Sequence, residues 1–209
     1  MTTALATPPT HAPNRSPARW QGFPKRNLAS GRQLPQYLSP KEVEALIRQA
    51  PHASARLLML CQWRAGLRVS EALALRPACF STDGEQPVLL VARGKGGKPR
   101  MVPVHPELEA ALRVVVDYRP PSDRLFTADP ATAWRWVQSA YAKAVALNQI
   151  TPGRRVGTHT LRHSAARHWL ASGVPINVVS RWLGHATITT TLLYLEILPD
   201  PSGYMERVA

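Results

Sequence analysis

The sequence predicts a mainly α-helical domain of the α+β class with one small antiparallel sheet. Signals that start and stop helices recur along most of the chain, with Ser-Pro or Asp-Pro at helix starts and Gly after apolar runs. Val and Leu are instead concentrated in residues 87–93 and 99–104, on either side of a glycine-rich turn, which is typical of a β-hairpin. A chain of 209 residues, 44% of them apolar, can bury a core without disulfides or metal ions.

Three helices are predicted before the hairpin. Residues 39–42 are Ser-Pro-Lys-Glu, a capping box with proline at the first helical position, and the helix that they start should end near Ala50. A second helix, from about Ser54 to Ala65, is strongly apolar and should stop at Gly66. A third helix should begin near Val69.

Five further helices are predicted after the hairpin, and no internal repeat is visible. Gly173 and Gly184 are natural stops for two of these helices. The predicted spans are Pro106 to about Tyr118, Pro130 to about Leu147, Thr160 to Ser172, Pro175 to Leu183, and Thr187 to about Leu195.

The charge and composition limit the function classes. The chain carries 26 Lys and Arg against 13 Asp and Glu, a formal net charge of +13, which favours a polyanion such as nucleic acid as partner. No apolar run approaches the ~20 residues of a membrane span, which argues against an integral membrane protein. Cys61 and Cys79 cannot form a disulfide framework, and residues 1–20 lack the apolar segment of a secretory signal. We therefore expect a cytoplasmic protein in a reducing compartment.

Residues 1–38 differ in composition from the rest of the chain. They contain prolines but no acidic residue, and their basic residues are Arg15, Arg19, Lys25, Arg26 and Arg32. Such a segment cannot bury enough apolar surface to fold alone, so we expect a disordered basic arm. The arm is either an inert tail or a segment that orders on DNA phosphates, with Lys25 and Arg26 among its contacts. A folded domain at 39–197 and a C-terminal tail at 198–209 follow.

Two segments in the first half of the chain can bring basic side chains to a phosphate. Arg68 lies between a helix stop and a new helix, where its planar guanidinium either binds a phosphate or pairs with Glu71. The predicted hairpin turn lacks the Walker A pattern and is either a solvated tip or a loop that contacts DNA. Its basic residues are Arg93, Lys95, Lys98 and Arg100.

Histidines mark a third segment. His159 and Arg162 are three residues apart and share a face near the start of a predicted helix, where phosphate binding is favoured. His159 and His163 also have the spacing of zinc ligands, with His168 nearby, but the glutamate of a zinc protease motif is missing. We therefore expect no metal site, and we expect His163 and His168 to be packing or surface residues.

The fourth segment contains Leu183-Gly184-His185, Thr190-Thr191 and Tyr194. Taken alone, a tyrosine on a short terminal helix is more often a core residue than a nucleophile. Tyr194 becomes a candidate site residue only because it follows the three segments described above.

Together and in this order, the four segments resemble the signature of the tyrosine recombinases, the phage integrase family. The resemblance covers residues 38–197 and implies the family's helical catalytic-domain fold with a three-stranded antiparallel sheet. The chain resembles short members such as the fimbrial-switch invertases, because only a basic arm stands where most members have an N-terminal core-binding domain. The matching motifs are Gly66-Leu67-Arg68 with Glu71, Gly94-Lys95-Gly96, His159 with Arg162 and His163, Leu183-Gly184-His185, and Thr190-Thr191 with Tyr194.

The resemblance implies a site-specific DNA recombinase that cleaves and rejoins DNA through a covalent 3′-phosphotyrosine, with no metal, ATP or other cofactor. Tyr194 would be the nucleophile, His159 its proton acceptor, and Lys95 the acid that protonates the departing 5′ oxygen. Two arginine side chains can neutralise the charge that develops on the phosphate, as a metal ion does elsewhere. The implied catalytic set is Arg68, Lys95, His159, Arg162, His185 and Tyr194, with Glu71 in support.

The implied partners are double-stranded DNA with a specific recombination site, further copies of the chain in a synaptic tetramer, and accessory DNA-bending proteins at the nucleoid. Two alternatives share the same fold. A non-catalytic DNA-binding regulator would bind DNA in a salt-dependent way without forming a covalent adduct. An enzyme similar to type IB topoisomerases would relax plasmid DNA without sequence preference.

Overall fold

The computed structural model of the protein describes residues 36–92 and 99–195. Within these ranges the chain forms α-helices and a three-stranded antiparallel sheet, which confirms the predicted fold class. None of the described helices is long and apolar enough to cross a membrane. In chain order the elements are α1 (Pro40–Arg48), α2 (Ala53–Arg64), α3 (Val69–Leu73), β1 (Phe80–Ser81), β2 (Val88–Val91), β3 (Arg100–Pro103), α4 (Pro106–Val116), α5 (Pro130–Ala146), α6 (Thr158–Ala171), α7 (Ile176–Leu183) and α8 (Thr189–Leu195).

Local capping signals set the helix boundaries, which lie within two residues of the predicted ones. Ser39 and Glu42 form the predicted capping box: Ser39 Oγ accepts from the backbone N–H of Glu42 at 3.4 Å, and the Glu42 carboxylate accepts from that of Ser39 at 2.8 Å. α6 begins two residues earlier than predicted, because Thr160 Oγ1 accepts from the backbone N–H of Gly157 at 3.0 Å. His159 therefore lies within the first turn of α6.

The sheet has the strand order β1-β2-β3, and both strand pairs are antiparallel. Leu89 lies opposite Phe80 on one side and opposite Val102 on the other. Leu89 and Val102 are buried, whereas Leu90 and Met101 are exposed, as the alternation of a sheet with one covered face requires. The strands of the predicted hairpin are thus confirmed, and β1 supplies the third strand.

α2 is the central helix of the core. Its residues from Leu57 to Trp63 are all buried, and it packs against α1, α3, α4, α5 and α6. Cys61 is fully buried in this helix. A smaller apolar cluster joins α6, α7 and α8 and includes Leu170, Leu183 and Tyr194. Packing in this second cluster therefore fixes the position of Tyr194 relative to α6.

Candidate active site

Arg162 connects three separate parts of the chain. Its Nη1 donates to the carbonyl oxygen of Gly66 and its Nη2 to that of Leu183, each at 2.6 Å. The side chain is only 5% exposed. Burial lowers the pKa of Arg162 to about 10, and the nearby Arg68 charge acts in the same direction. The guanidinium therefore remains charged at neutral pH, within reach of the loop that follows α2 and of the end of α7.

The carboxylate of Glu71 lies at the centre of an arginine cluster. It accepts from Arg68 Nη1 at 2.8 Å and from Arg100 Nη2 and Nη1 at 2.8 and 3.0 Å, and Arg162 Nη1 lies 3.6 Å away. Burial alone would raise the pKa of Glu71, but the hydrogen bonds from Arg100 and from the backbone of Arg68 hold it at about 2. Three guanidinium groups around one carboxylate leave an excess of positive charge at this position.

Arg68 presents part of this excess charge to solvent. Its backbone N–H donates to Glu71 Oε2 at 2.8 Å, which fixes the residue at the start of α3. Its side chain is 39% exposed, compared with 9% for Arg100 and 5% for Arg162. The sequence leaves open whether Arg68 pairs with Glu71 or faces a phosphate, and in this geometry it does pair with Glu71 while remaining accessible to a ligand.

Two glycines with positive φ allow this close packing. Gly66 has φ +62°, and a Cβ on it would lie 2.8 Å from the Trp169 ring and 2.9 Å from Leu183. Gly184 has φ +65°, ends α7 in the left-handed conformation, and would place a Cβ 2.8 Å from Arg100 Nη1. A side chain at either position would therefore displace groups that hold the arginine cluster together.

Tyr194 is buried and its hydroxyl is hydrogen-bonded. The residue is 3% exposed, and its hydroxyl oxygen lies 2.6 Å from Nδ1 of His163. The His185 ring is nearly parallel to the tyrosine ring, with the two centroids 6.3 Å apart. Burial raises the pKa of Tyr194, while the charges of Arg162 and Arg68 act in the opposite direction. The phenol is consequently protonated at neutral pH in the free protein.

His185 lies near both the arginine cluster and Tyr194. Its Nδ1 is 2.8 Å from Thr191 Oγ1, a buried hydroxyl of α8. Burial, together with the charges of Arg162 and Arg68, lowers the pKa of His185 to about 4. The ring is therefore neutral at physiological pH and is oriented by α8, with its Nε2 as the remaining polar atom.

The other histidines differ in position from what the sequence suggests. His159 is exposed, with its ring centroid 6.3 Å from that of His163. His163 is not simply a packing residue, because it contacts the Tyr194 hydroxyl. The four-residue spacing shows that His159 and His163 share a helix face. In the sequence this spacing suggested only a pair of zinc ligands, and it gave no sign that His163 contacts Tyr194. His168 does pack, with its ring centroid 5.2 Å from that of Trp63.

The basic residues predicted to bind DNA fall into two groups. Arg100 is turned away from the expected surface: besides its bonds to Glu71, its Nε donates to the carbonyl oxygen of Trp182 at 2.7 Å. The expected DNA contact of Arg100 finds no support in this arrangement, since its donors are committed to protein groups. The other residues predicted to bind DNA lie outside the described ranges: Lys25, Arg26, Arg93 and Lys98. So does Lys95, which is predicted to be catalytic.

A potential metal site can also be tested within residues 36–92 and 99–195. No group of three or more His, Cys, Asp or Glu side chains in these ranges is placed to hold a metal ion. The positive charge next to Tyr194 is instead supplied by Arg68 and Arg162. In chemical terms, the described site offers a phenol, neutral imidazoles and guanidinium groups, a combination suited to binding a phosphate close to a nucleophile.

Comparison with known proteins gives consistent results at the level of sequence and of fold. The tyrosine recombinase XerA of Pyrococcus horikoshii is 35% identical over 182 residues, which cover 82% of this chain and 60% of that relative. A crystal structure of XerA recombinase matches with a TM-score of 0.66 at 28% identity, over 84% of this chain and 65% of that one.

Another match shares the fold alone. The XerH site-specific recombinase bound to difH substrate has a TM-score of 0.67 at 24% identity, over 85% of this chain and 55% of that one.

The model of the phage integrase family matches residues 36–199, which is most of the chain. Because this match spans well over half of the chain, the chain belongs to the phage integrase family of tyrosine recombinases.

Proposed function

We propose that the protein is a site-specific DNA recombinase that cleaves and rejoins DNA through a covalent 3′-phosphotyrosine at Tyr194. The observation that carries the proposal is that one site joins the arginine cluster to Tyr194. Arg162 lies 3.6 Å from the Glu71 carboxylate that binds Arg68, and the next residue, His163, contacts the Tyr194 hydroxyl. Arg68 comes from the start of α3, Arg162 from α6 and Tyr194 from α8. A phenol that attacks a phosphodiester needs positive charge nearby, because negative charge develops on the phosphate oxygens during the attack.

We assign the roles in the reaction from the family resemblance, and the contacts of the described residues support the roles of Arg68, Arg162 and His185. Arg68 and Arg162 bind the non-bridging phosphate oxygens and stabilise the charge that develops there, without metal or ATP. His185, neutral and oriented by Thr191, donates a hydrogen bond to the phosphate. Lys95 protonates the 5′ oxygen as it leaves. The phosphotyrosine preserves a phosphoester bond, so the free 5′ hydroxyl can reverse the step without an energy source.

The proton of the Tyr194 hydroxyl needs an acceptor. The family resemblance assigns this role to His159, which is exposed in the first turn of α6 and available to a bound phosphate. His163 is the second candidate, because it already contacts the hydroxyl. The two assignments differ in which histidine, when substituted, removes the acid limb from the pH profile of adduct formation.

The proposed partner is double-stranded DNA with a specific recombination site. Two observations support it: the net charge of +13, and the likeness in fold to XerH, whose structure contains its difH substrate. We further propose a synaptic tetramer on DNA, accessory DNA-bending proteins and a location at the nucleoid. The chain spans about 60% of the length of curated relatives such as XerA. The activity and partners of those relatives are therefore carried to this chain only as proposals.

Capture of a covalent adduct tests the proposal. A pool of nicked duplexes with a randomised central segment is incubated with the full chain, and protein–DNA adducts are isolated under denaturing conditions and sequenced. We expect wild type to form an adduct on a 3′ phosphate at defined sites, and Tyr194→Phe to form none. Tyr118→Phe is the matched control, since Tyr118 is 86% exposed at the end of α4.

The same experiment separates the alternatives. Salt-dependent binding without any wild-type adduct would indicate a regulator of the same fold and would overturn the proposed activity. Adducts without sequence preference, together with relaxation of supercoiled plasmid, would indicate an enzyme similar to type IB topoisomerases. An adduct that persists in Tyr194→Phe would show that another residue is the nucleophile.

A further inference from the structure

The shortest contact of the Tyr194 hydroxyl is with a histidine outside the six implied catalytic residues. Nδ1 of His163 lies 2.6 Å from the hydroxyl oxygen, within the normal range for a strong O–H···N or N–H···O hydrogen bond. His163 directly follows Arg162, so α6 carries both a phosphate-binding guanidinium and the partner of the nucleophile. Among the described side chains, no other ring nitrogen is at hydrogen-bond distance from this oxygen.

We propose that His163 is a catalytic residue that holds the hydroxyl of Tyr194 in the free protein and accepts its proton when the tyrosine attacks DNA. The proposal rests on the proposed function. It differs from the assignment by resemblance, which gives the proton to His159.

The protonation states of the pair fit this role. Burial, together with the charges of His159 and Arg162, lowers the pKa of His163 to about 4. The ring is therefore neutral at physiological pH and can accept a hydrogen bond, while burial keeps the phenol protonated. The proposal requires the tautomer with hydrogen on Nε2, so that Tyr194 donates to Nδ1.

The two neighbouring histidines are less suited to receive the proton. His159 is exposed, one helical turn away, with its ring centroid 6.3 Å from that of His163. His185 lies alongside the face of the tyrosine ring, and its Nδ1 is engaged with Thr191 Oγ1. Neither histidine makes a hydrogen bond to the hydroxyl, so proton transfer to either would require a rearrangement or a bridging water.

The charged groups around His163 make its pKa depend on whether DNA is bound. His159 and Arg162 face it from its own helix, Tyr194 from α8, and His185 from the α7–α8 loop. In the free protein the positive charge of Arg162 opposes protonation of His163. A phosphodiester bound to Arg162 brings a negative charge that offsets this effect, so His163 becomes a stronger base only when substrate is present.

The proposed step balances as follows. The bond from Tyr194 Oη to phosphorus forms while the bond from phosphorus to the 5′ oxygen breaks, and the phenolic proton passes to Nδ1 of His163. The departing 5′ oxygen takes a proton from Lys95, its proposed acid. In the rejoining step the 5′ hydroxyl passes its proton to the now neutral Lys95 and attacks phosphorus. The bond from phosphorus to Tyr194 Oη breaks, and His163 returns its proton to the tyrosine oxygen.

Substitution of His163 provides the main test, on a nicked duplex selected from the pool described above. Asparagine keeps a polar acceptor near the position of Nδ1 but does not take up a proton at neutral pH. We expect His163→Asn to bind the duplex normally and to form the adduct about 10²–10⁴-fold more slowly. The wild-type rate should fall at acidic pH as His163 becomes protonated, and this acid limb should be absent from the variant.

Two controls identify the proton acceptor. His168→Asn alters a half-buried histidine on the same helix and should leave the adduct rate unchanged. His159→Asn should retain the acid limb of the pH profile. An adduct rate for His163→Asn within threefold of wild type, or loss of the acid limb in His159→Asn instead, would overturn the proposal.

A substrate with sulfur in place of the bridging 5′ oxygen separates the two ends of the reaction. The thiolate leaves without needing a proton, so a defect in the leaving-group acid disappears on this substrate. We expect the defect of His163→Asn to persist, because its cause is at the nucleophile. Full recovery of the rate would place His163 at the leaving group and would refute the assignment.

A measurement without DNA distinguishes failure of this inference from failure of the proposed function. Imidazole ¹⁵N spectra of the full chain should show His163 with hydrogen on Nε2 and a hydrogen-bonded Nδ1, and Tyr194→Phe should shift the Nδ1 signal. Absence of that shift would exclude the contact itself. Absence of any adduct from wild type, with the shift present, would refute the recombinase activity and leave the hydrogen bond as a structural contact.

Discussion

The guanidinium of Arg100 makes two hydrogen bonds, of 2.8 and 3.0 Å, to the buried carboxylate of Glu71. The same carboxylate also accepts from Arg68, whose side chain is accessible. A charge in the interior is stable only when it is paired, and here the pairing fixes the direction of a side chain that faces solvent. The arrangement of the proposed phosphate site thus depends on an ion pair beneath it.

The first prediction concerns this buried charge. Glu71→Gln keeps the size of the side chain but leaves the guanidinium groups of Arg100 and Arg162 without their counter-charge. We expect the free energy of unfolding to fall by about 3 kcal/mol, measured by urea denaturation at pH 7. Glu85→Gln, at an exposed turn, should change it by less than about 0.5 kcal/mol. Equal effects of the two substitutions would contradict the role of Glu71.

The pH dependence gives a second, independent prediction. The pKa of Glu71 is about 2 in the folded protein, below its ordinary value of 4.5, so the folded state binds the proton less well than the unfolded state. The stabilisation is therefore complete above about pH 5 and is lost as the pH falls from 4.5 towards 2. The difference in unfolding free energy between wild type and Glu71→Gln should shrink over this range. A difference that stays constant down to about pH 3 would show that the charge is not responsible.

The third prediction compares two glycines that both have positive φ. Gly173 has φ +86° and open space where a Cβ would lie, so Gly173→Ala should cost only the left-handed backbone strain, about 1 kcal/mol. Gly184→Ala adds a contact of 2.8 Å with Arg100 and should cost about 3 kcal/mol. It should also reduce adduct formation, because Arg100 supports Glu71. Thermal and urea unfolding of the two variants provide the comparison, and equal costs would argue against the steric explanation.

The fourth prediction separates the two arginines near Tyr194. Both Arg68→Ala and Arg162→Ala should abolish the covalent adduct. Arg68→Ala should destabilise the fold by about 1 kcal/mol or less, because its ion pair is partly exposed. Arg162→Ala should cost about 3 kcal/mol, because the carbonyl oxygens of Gly66 and Leu183 lose their partner. Denaturation curves and the adduct assay are measured on both variants. An equally small loss of stability in both would contradict a structural role for Arg162 and leave it a purely catalytic one.

The fifth prediction concerns the basic residues of the arm, all of which lie outside the described residues. Removal of residues 1–35 leaves the first described residues intact, including Leu38, whose backbone N–H donates to Ser164 Oγ at 2.8 Å. If the five basic residues of the arm bind phosphates, the slope of log affinity against log salt should become shallower by up to about 4.5. DNA-binding titrations at several salt concentrations measure this slope. An unchanged slope would identify the arm as an inert tail.

Local features of the structure were predictable from the sequence. The capping box at Ser39 and the stop at Gly184 depend on a few neighbouring residues, and both were found where expected. The Arg68–Glu71 pair is also local, because the two residues lie three apart at a helix start. The overall helical fold with one small sheet followed from the same kind of signal.

The contacts between distant segments were not predictable in the same way. Arg100 lies 29 residues from Glu71, and the hairpin pattern alone suggested that it faces DNA. The contact of His163 with Tyr194 joins positions 31 residues apart, and it depends on how α8 packs on α6. Sequence spacing specifies which residues share a helix face, but tertiary packing determines what that face meets.

The two carbonyl groups bound by Arg162 belong to residues 96 and 21 positions away in the chain. Contacts with large sequence separation carry a high entropic cost of loop closure, so they are established late during folding. A nascent or partly unfolded chain therefore has Tyr194 but no placed guanidinium beside it. An incompletely folded chain therefore lacks the proposed phosphate site, which exists only once these distant segments have packed together.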